Sequence, residues 1–80
     1  MYTRARCGLC RTAEAQVTRE AGRRATVRHV DIDQDDDLAR RYGVRVPVIV
    51  VDGHEVAEVE VAPGTVRRAI RAASRRPRLG

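Results

Sequence analysis

The chain has only two cysteines, and they stand close together as Cys7-Gly8-Leu9-Cys10. A disulfide across that spacing closes a very short loop and removes little entropy from the unfolded chain. It is a weak staple and a good candidate for reversible redox chemistry. At the head of a helix, the first thiol lies beside unpaired backbone N–H groups and the positive end of the macrodipole. Both favour the thiolate, the form that acts as a nucleophile. The same Cys-x-x-Cys pattern can be half of a zinc site, which needs four ligands. Only His29 and His54 could complete it. One lies inside an expected strand and the other beside an expected turn, so ordinary structural roles fit both better. An iron–sulfur cluster shared across a dimer is a further alternative.

An 80-residue chain forms one domain with a modest core. That core must be built mainly from valine and alanine, because Tyr2 and Tyr42 are the only aromatics. The formal net charge is +5, and arginine supplies every Lys/Arg position. Arginines crowd the first third of the chain and the stretch from Arg67 onward. Asp31, Asp33, Asp35, Asp36 and Asp37 form an acidic knot between them. Basic balance can signal nucleic acid or an acidic partner. Here the arginines fall on exposed helix faces without interleaved aromatics for base stacking, which argues against nucleic acid. Heavy use of arginine, alanine and valine also fits a GC-rich genome. No stretch has the character of a signal peptide or a membrane span. Two cysteines are too few for a disulfide-dense secreted scaffold, so a reducing cytoplasm is the expected location.

The elements that would position the cysteines follow from periodicity. Met1 to about Arg4 begins a short first strand. Leu9, Ala13, Val17 and Ala21 recur every fourth residue and predict an amphipathic helix over 8–21, stopped by Gly22. Ala25 to Ile32 reads as a strand. A short helix over 35–42 follows, acidic in its first turn and basic in its last, closed by Gly43. That placement explains the acidic knot without calcium, for which an EF-hand's loop glycine and closing glutamate are missing. Val46 to Val51 is an apolar run expected to be covered on both faces. Asp52-Gly53 is a two-residue hairpin turn, and His54 to Val61 returns antiparallel. Simple alternation turns Ala57, Val59 and Val61 to one face and Val56, Glu58 and Glu60 to the other. A final helix over 65–74 turns Val66, Ala69, Ile70 and Ala73 inward, and residues 75–80 form an Arg-rich loose tail outside the domain of residues 1–74. The order predicts an α/β fold, βαβαββα, with a small mixed four-stranded sheet and helices on both faces. Pro47 at the head of a buried strand cannot donate to a ladder, and a cis Val46–Pro47 bond accounts for it.

Taken together, Tyr2-Thr3, Cys7-Gly8-Leu9-Cys10, Val30-Asp31-Ile32-Asp33, Leu38 with Arg41-Tyr42-Gly43, and Val46-Pro47-Val48 leading to Asp52-Gly53 resemble the short bacterial glutaredoxin-like members of the thioredoxin superfamily. The resemblance runs from Tyr2 to about Gly53. It implies a thioredoxin-like fold and thiol–disulfide exchange, with Cys7 as nucleophile, Cys10 as resolving thiol and cis Pro47 beside them. It also implies that the backbone of Val46 pairs with an extended substrate. This chain has Gly8 and Leu9 where glutaredoxins carry proline and an aromatic. It reads Val61-Ala62-Pro63-Gly64-Thr65 where they carry Gly-Gly and an acidic stretch that helps hold glutathione. Glutathione dependence is therefore not carried over.

The expected activity is disulfide exchange with a protein or a low-molecular-weight thiol. Arg6 and Arg11 would raise the positive potential around Cys7 and contact the substrate. No bound cofactor is needed; a reductase, glutathione or another thiol would recycle the pair. A monomer acting away from membranes is expected. Two other readings use the same residues. One is a non-catalytic redox sensor or interaction module. The other is an arginine-rich binder of nucleic acid or acidic partners, with incidental cysteines.

Overall fold

The computed structural model describes residues 1–75 of the chain. The elements are β1 (Tyr2–Thr3), α1 (Gly8–Ala21), β2 (Val30–Asp31), α2 (Asp36–Tyr42), β3 (Val48–Val51), β4 (His54–Glu58) and α3 (Thr65–Arg75), with a 3-10 turn at Ile32–Gln34 before α2. They form one four-stranded mixed sheet in the order β2-β1-β3-β4. β1 runs parallel to β2 and antiparallel to β3, which pairs antiparallel with β4. This is the expected α/β, thioredoxin-like arrangement. α3 includes Arg75, and the rest of the expected tail lies outside the described residues. Among the described residues, no helix is long and apolar enough to cross a membrane.

Two apolar clusters sandwich the sheet. Ala13, Val17 and Ala21 of α1 meet Val66 and Ile70 of α3 over Met1 and Ile49. On the other face Cys10, Ile32, Tyr42, Val46 and Val48 pack together, flanked by Tyr2, Cys7, Leu38 and Val50. Residues 48 to 51 alternate between the clusters, as a strand covered on both faces must. The α1 face begins at Cys10, with 2% exposure, and Leu9, 46% exposed, is turned away from it. The inward stripe is thus Cys10, Ala13, Val17 and Ala21, a three-residue step followed by four-residue steps.

Two strand expectations fail for identifiable reasons. Ala25 to His29 is not strand, because its partner β1 is two residues long and a ladder cannot outrun its partner. Ile32 instead enters the 3-10 turn, where the Asp31 carboxylate accepts from the Asp33 N–H at 2.9 Å. β4 stops at Glu58 because Val59 turns back. Val59 takes φ 66°, and the Glu60 N–H donates to the Glu58 carbonyl at 2.7 Å, a γ-turn of the strained hand. A register shift between Ile49 and Val50 also places both Val56 and Ala57 against the α1/α3 cluster and breaks simple alternation. Val59 is 39% exposed rather than inward. The Asp52-Gly53 turn has positive φ at both positions, 52° and 82°, as a tight two-residue hairpin requires.

Candidate functional site

Cys7 is the N-cap of α1 and sits in extended conformation at φ −111°. Its sulfur accepts a hydrogen bond from the Cys10 N–H at 3.1 Å, so one of the helix's unpaired donors is spent on the cysteine itself. Cys7 and Cys10 are joined as a disulfide with Cα atoms 5.2 Å apart. The two sulfurs differ in access. Cys10 faces the α2-side cluster and is buried, whereas Cys7 is half-buried at its edge.

The residues around the pair fall into place by different means. Arg6 precedes Cys7 in the left-handed region at φ 58°, a conformation that reverses the chain between β1 and α1. It is exposed, as is Arg11 in the first turn. The Arg11 guanidinium lies over the motif's own backbone: a Cβ built at Gly8 would stand 4.0 Å from Arg11 Nη2. Val46 shares the cluster of both cysteines. Pro47 is fully buried, and the Val46–Pro47 peptide is cis.

The loop carrying Val46 and Pro47 is clamped from β4. The Val59 N–H donates to the carbonyls of Pro47, at 2.9 Å, and Arg45, at 3.2 Å. Arg45 pairs with Glu55 and Glu58 across the strand. Bonding first to Glu58 and then to Glu55 raises the Arg45 pKa above its usual value. The same guanidinium lies 5.5 Å from the centre of the Tyr42 ring, which stacks on Tyr2 at 4.4 Å. Leu9, Val44 at 95% exposure and Val59 are exposed apolar side chains within, or beside, the segments that form the site.

A second clamp ties the chain before Cys7 to the sheet's other edge. Arg4 donates to the Asp33 carboxylate at 2.7 and 3.3 Å and to the Gly43 carbonyl at 3.0 Å. The bond from Arg4 holds the Asp33 carboxyl below its usual pKa. Asp35 caps α2 by accepting from the Asp37 and Leu38 N–H groups. Asp37 pairs with Arg40 at 3.2 Å. The acidic knot is thus used for capping and arginine pairing. His29 pairs with Glu14 at 3.8 Å, and His54 is exposed at the start of β4. Among the described residues, no cluster of three or more His, Cys, Asp or Glu is arranged around a metal position.

Sequence reasoning missed Glu20, in the last turn of α1. Its carboxylate accepts from the N–H groups of Gly64 and Arg67, both at 3.0 Å, and from the Gln16 amide at 3.0 Å. Burial opposes its charged form, but the Arg67 and Gly64 N–H bonds, the Gln16 amide and the Arg67 charge together outweigh burial and hold its pKa below the usual value. Glu20 therefore closes the start of α3 from α1. Its only sequence signal was an acid placed against the dipole of its own helix, which suggests a partner elsewhere. Residues 1–71 match the family model described as Glutaredoxin-like domain (DUF836). No curated protein and no solved structure matches the chain.

Proposed function

The chain belongs to the glutaredoxin-like domain family, and from that premise we propose that it is a thiol–disulfide oxidoreductase working through Cys7 and Cys10. The observation that carries the reading is the unequal access of two bonded sulfurs at one helix head. The half-buried Cys7 is the sulfur a substrate can reach, and the buried Cys10 can reach only Cys7. The Cys7 thiolate attacks one sulfur of a substrate disulfide, forms a mixed disulfide and expels the other sulfur as a thiolate. The Cys10 thiolate then attacks the Cys7 sulfur, restores the Cys7–Cys10 bond and releases the second substrate thiolate. An external dithiol returns two electrons to the pair and leaves oxidised.

The substrate class we assign is an extended polypeptide disulfide. Three features support it. Leu9, Val44 and Val59 supply apolar contact area. The Val46 side chain is turned into the core, which leaves its backbone to meet a strand. Arg6 and Arg11 add positive charge that favours the Cys7 thiolate. We assign recycling to a reductase or a thiol other than glutathione. The stretch before α3 lacks Gly-Gly and an acidic run, and the Gly64 and Arg67 N–H groups are already bound to Glu20.

The test is a Cys10→Ser trap. It should accumulate mixed disulfides through Cys7, while Cys7→Ser traps nothing and has no turnover on a protein disulfide. Trapping by Cys7→Ser alone would reverse the two roles. No trapping by either variant, with no turnover by the wild type, would end the oxidoreductase reading.

A further inference from the structure

The charges of the chain are sorted by layer. The segments that build the α1/α3 layer, from Gly8 to Arg24 and from Thr65 to Arg75, have eight arginines and two glutamates. The other described residues have six arginines and nine acids. One side of the sheet is therefore strongly basic and the rest of the molecule mildly acidic.

The basic charge concentrates on α3. Val66 and Ile70 are buried in the cluster shared with α1, and Ala69 and Ala73 are half-buried, which sets the inward face. Arg67, Arg71 and Arg75 recur every fourth residue on the outward side, with Arg68 beside them, and all four are exposed. Successive charges in that row stand about 6 Å apart along the axis. Arg19, Arg23 and Arg24 add exposed charge at the end of α1, which Glu20 ties to the start of α3.

This placement runs against the helix's own preference. Arg67 and Arg68 stand in the first turn, where the macrodipole favours acids, and that turn has none. The Arg68 guanidinium lies over the Gly64 backbone, with Nη1 2.7 Å from where a Cβ on Gly64 would stand. Arg67 with Arg71, and Arg71 with Arg75, are like charges at a spacing that destabilises a helix. Glu20 faces the Arg67 charge. Arg68, Arg71 and Arg75 form no ion pair among the described residues. A local rule broken without a compensating gain inside the chain marks a functional surface.

Shape and chemistry choose the partner. α1 packs beside α3, so α3 cannot sink into the major groove of a duplex. The layer has no aromatic to stack a base, because Tyr2 and Tyr42 lie elsewhere. The exposed large apolar side chains are Leu9, Val44 and Val59, so α3 offers none to seat in a lipid surface. An acidic helix repeats its carboxylates at the same step of about 6 Å, and each can take a guanidinium through two parallel bonds. We propose that the arginine row of α3 is a docking face for an acidic helical segment of another protein, held by arginine–carboxylate pairs. The inference is independent of the redox reading. Without apolar contact the association is weak, fast and salt-dependent.

The probe is a peptide of four Glu-Ala-Ala-Glu repeats, acetylated and amidated at its ends and titrated into the full isotope-labelled chain at low salt. Amide shifts should concentrate at 19–24 and 67–75 and spare 31–42. Arg71→Gln should weaken binding about threefold. It should not lower the melting temperature, because it removes a like charge from the row. Arg75→Gln should repeat that result. Arg41→Gln, an exposed change on α2, should alter neither quantity. Raising the salt should weaken binding by the intact chain. Absence of shifts, shifts centred outside α3, or an equal loss from Arg41→Gln would overturn the proposal. So would tighter binding, at the same salt, of a short DNA duplex or of vesicles of phosphatidylcholine and phosphatidylserine in equal parts. The row would then serve a phosphate-bearing surface rather than an acidic protein.

Discussion

At the N-terminal end of α1, side chains and backbone close on one another. The Cys7 sulfur caps the helix, Arg4 ties the preceding chain to Asp33 and Gly43, and Val59 and Arg45 hold the Pro47 segment from β4. At the C-terminal end of the same helix, β1 runs out and the walls of the sheet face a cavity. There Glu20 reaches across to the start of α3. The contrast teaches that a short central strand suffices for the cysteine site. The positioning contacts lie in loops and caps at one end, while a cavity lined by residues of β3 and α3 lies at the other.

That comparison can be broken by experiment. The largest effect should come from Ile32→Ala, because Ile32 is fully buried in the closed cluster. It should cost about 3 kcal/mol by denaturant unfolding. Val27→Ala, half-buried beside the cavity, should cost under about 1 kcal/mol. Equal losses at the two positions would mean that the ends are closed alike.

Glu20→Gln should come next, lowering stability by about 1 kcal/mol through weaker helix capping, with the thiol chemistry of Cys7 unchanged. The pH dependence has a definite sign. Glu20 and Asp33 have lowered pKa values in the folded chain, so their stabilisation is present above the ordinary carboxylate pKa and is lost as pH falls through the folded values. Acid melts of the wild type should fall through that window, and Glu20→Gln should show a shallower fall. The smallest effect should come from Arg6→Gly. Glycine accepts the positive φ at that position without strain. Stability should hold, while alkylation of reduced Cys7 near neutral pH slows about two- to fivefold as the nearby positive charge is removed. An unchanged alkylation rate would confine Arg6 to chain reversal.

Much of the closed end was legible in the residues. Gly8 and Gly22 bracketed α1, Asp35 and Gly43 bracketed α2, Asp52-Gly53 announced its turn, and the order of elements set the topology. Each of these signals is local, so each survives without knowledge of partners. The misreadings depended on partners. Ala25 to His29 has strand composition but only a two-residue neighbour. Val59 belongs to an alternating run, yet its N–H is drawn to the carbonyls of Arg45 and Pro47. Leu9 matched a four-residue repeat, yet the inward stripe begins at Cys10, three residues before Ala13. Glu20 acts over a separation of 44 residues to Gly64, beyond any local pattern. The cysteine pair was legible as chemistry; its unequal burial emerged only from packing against Ile32 and Val48.

The cap on α1 has one more consequence. The sulfur that accepts the Cys10 N–H is the same atom that would change oxidation state in the proposed exchange. An ionised thiolate accepts an N–H bond more strongly than a disulfide sulfur does. Around a closed cycle of reduction and local opening, the extra free energy this bond gives the reduced helix head over the oxidised one equals the free energy by which it favours reduction. Hydrogen exchange at Cys10 and Arg11 is therefore a gauge of electron occupancy. Fraying in the first turn and the midpoint potential are two readings of one quantity.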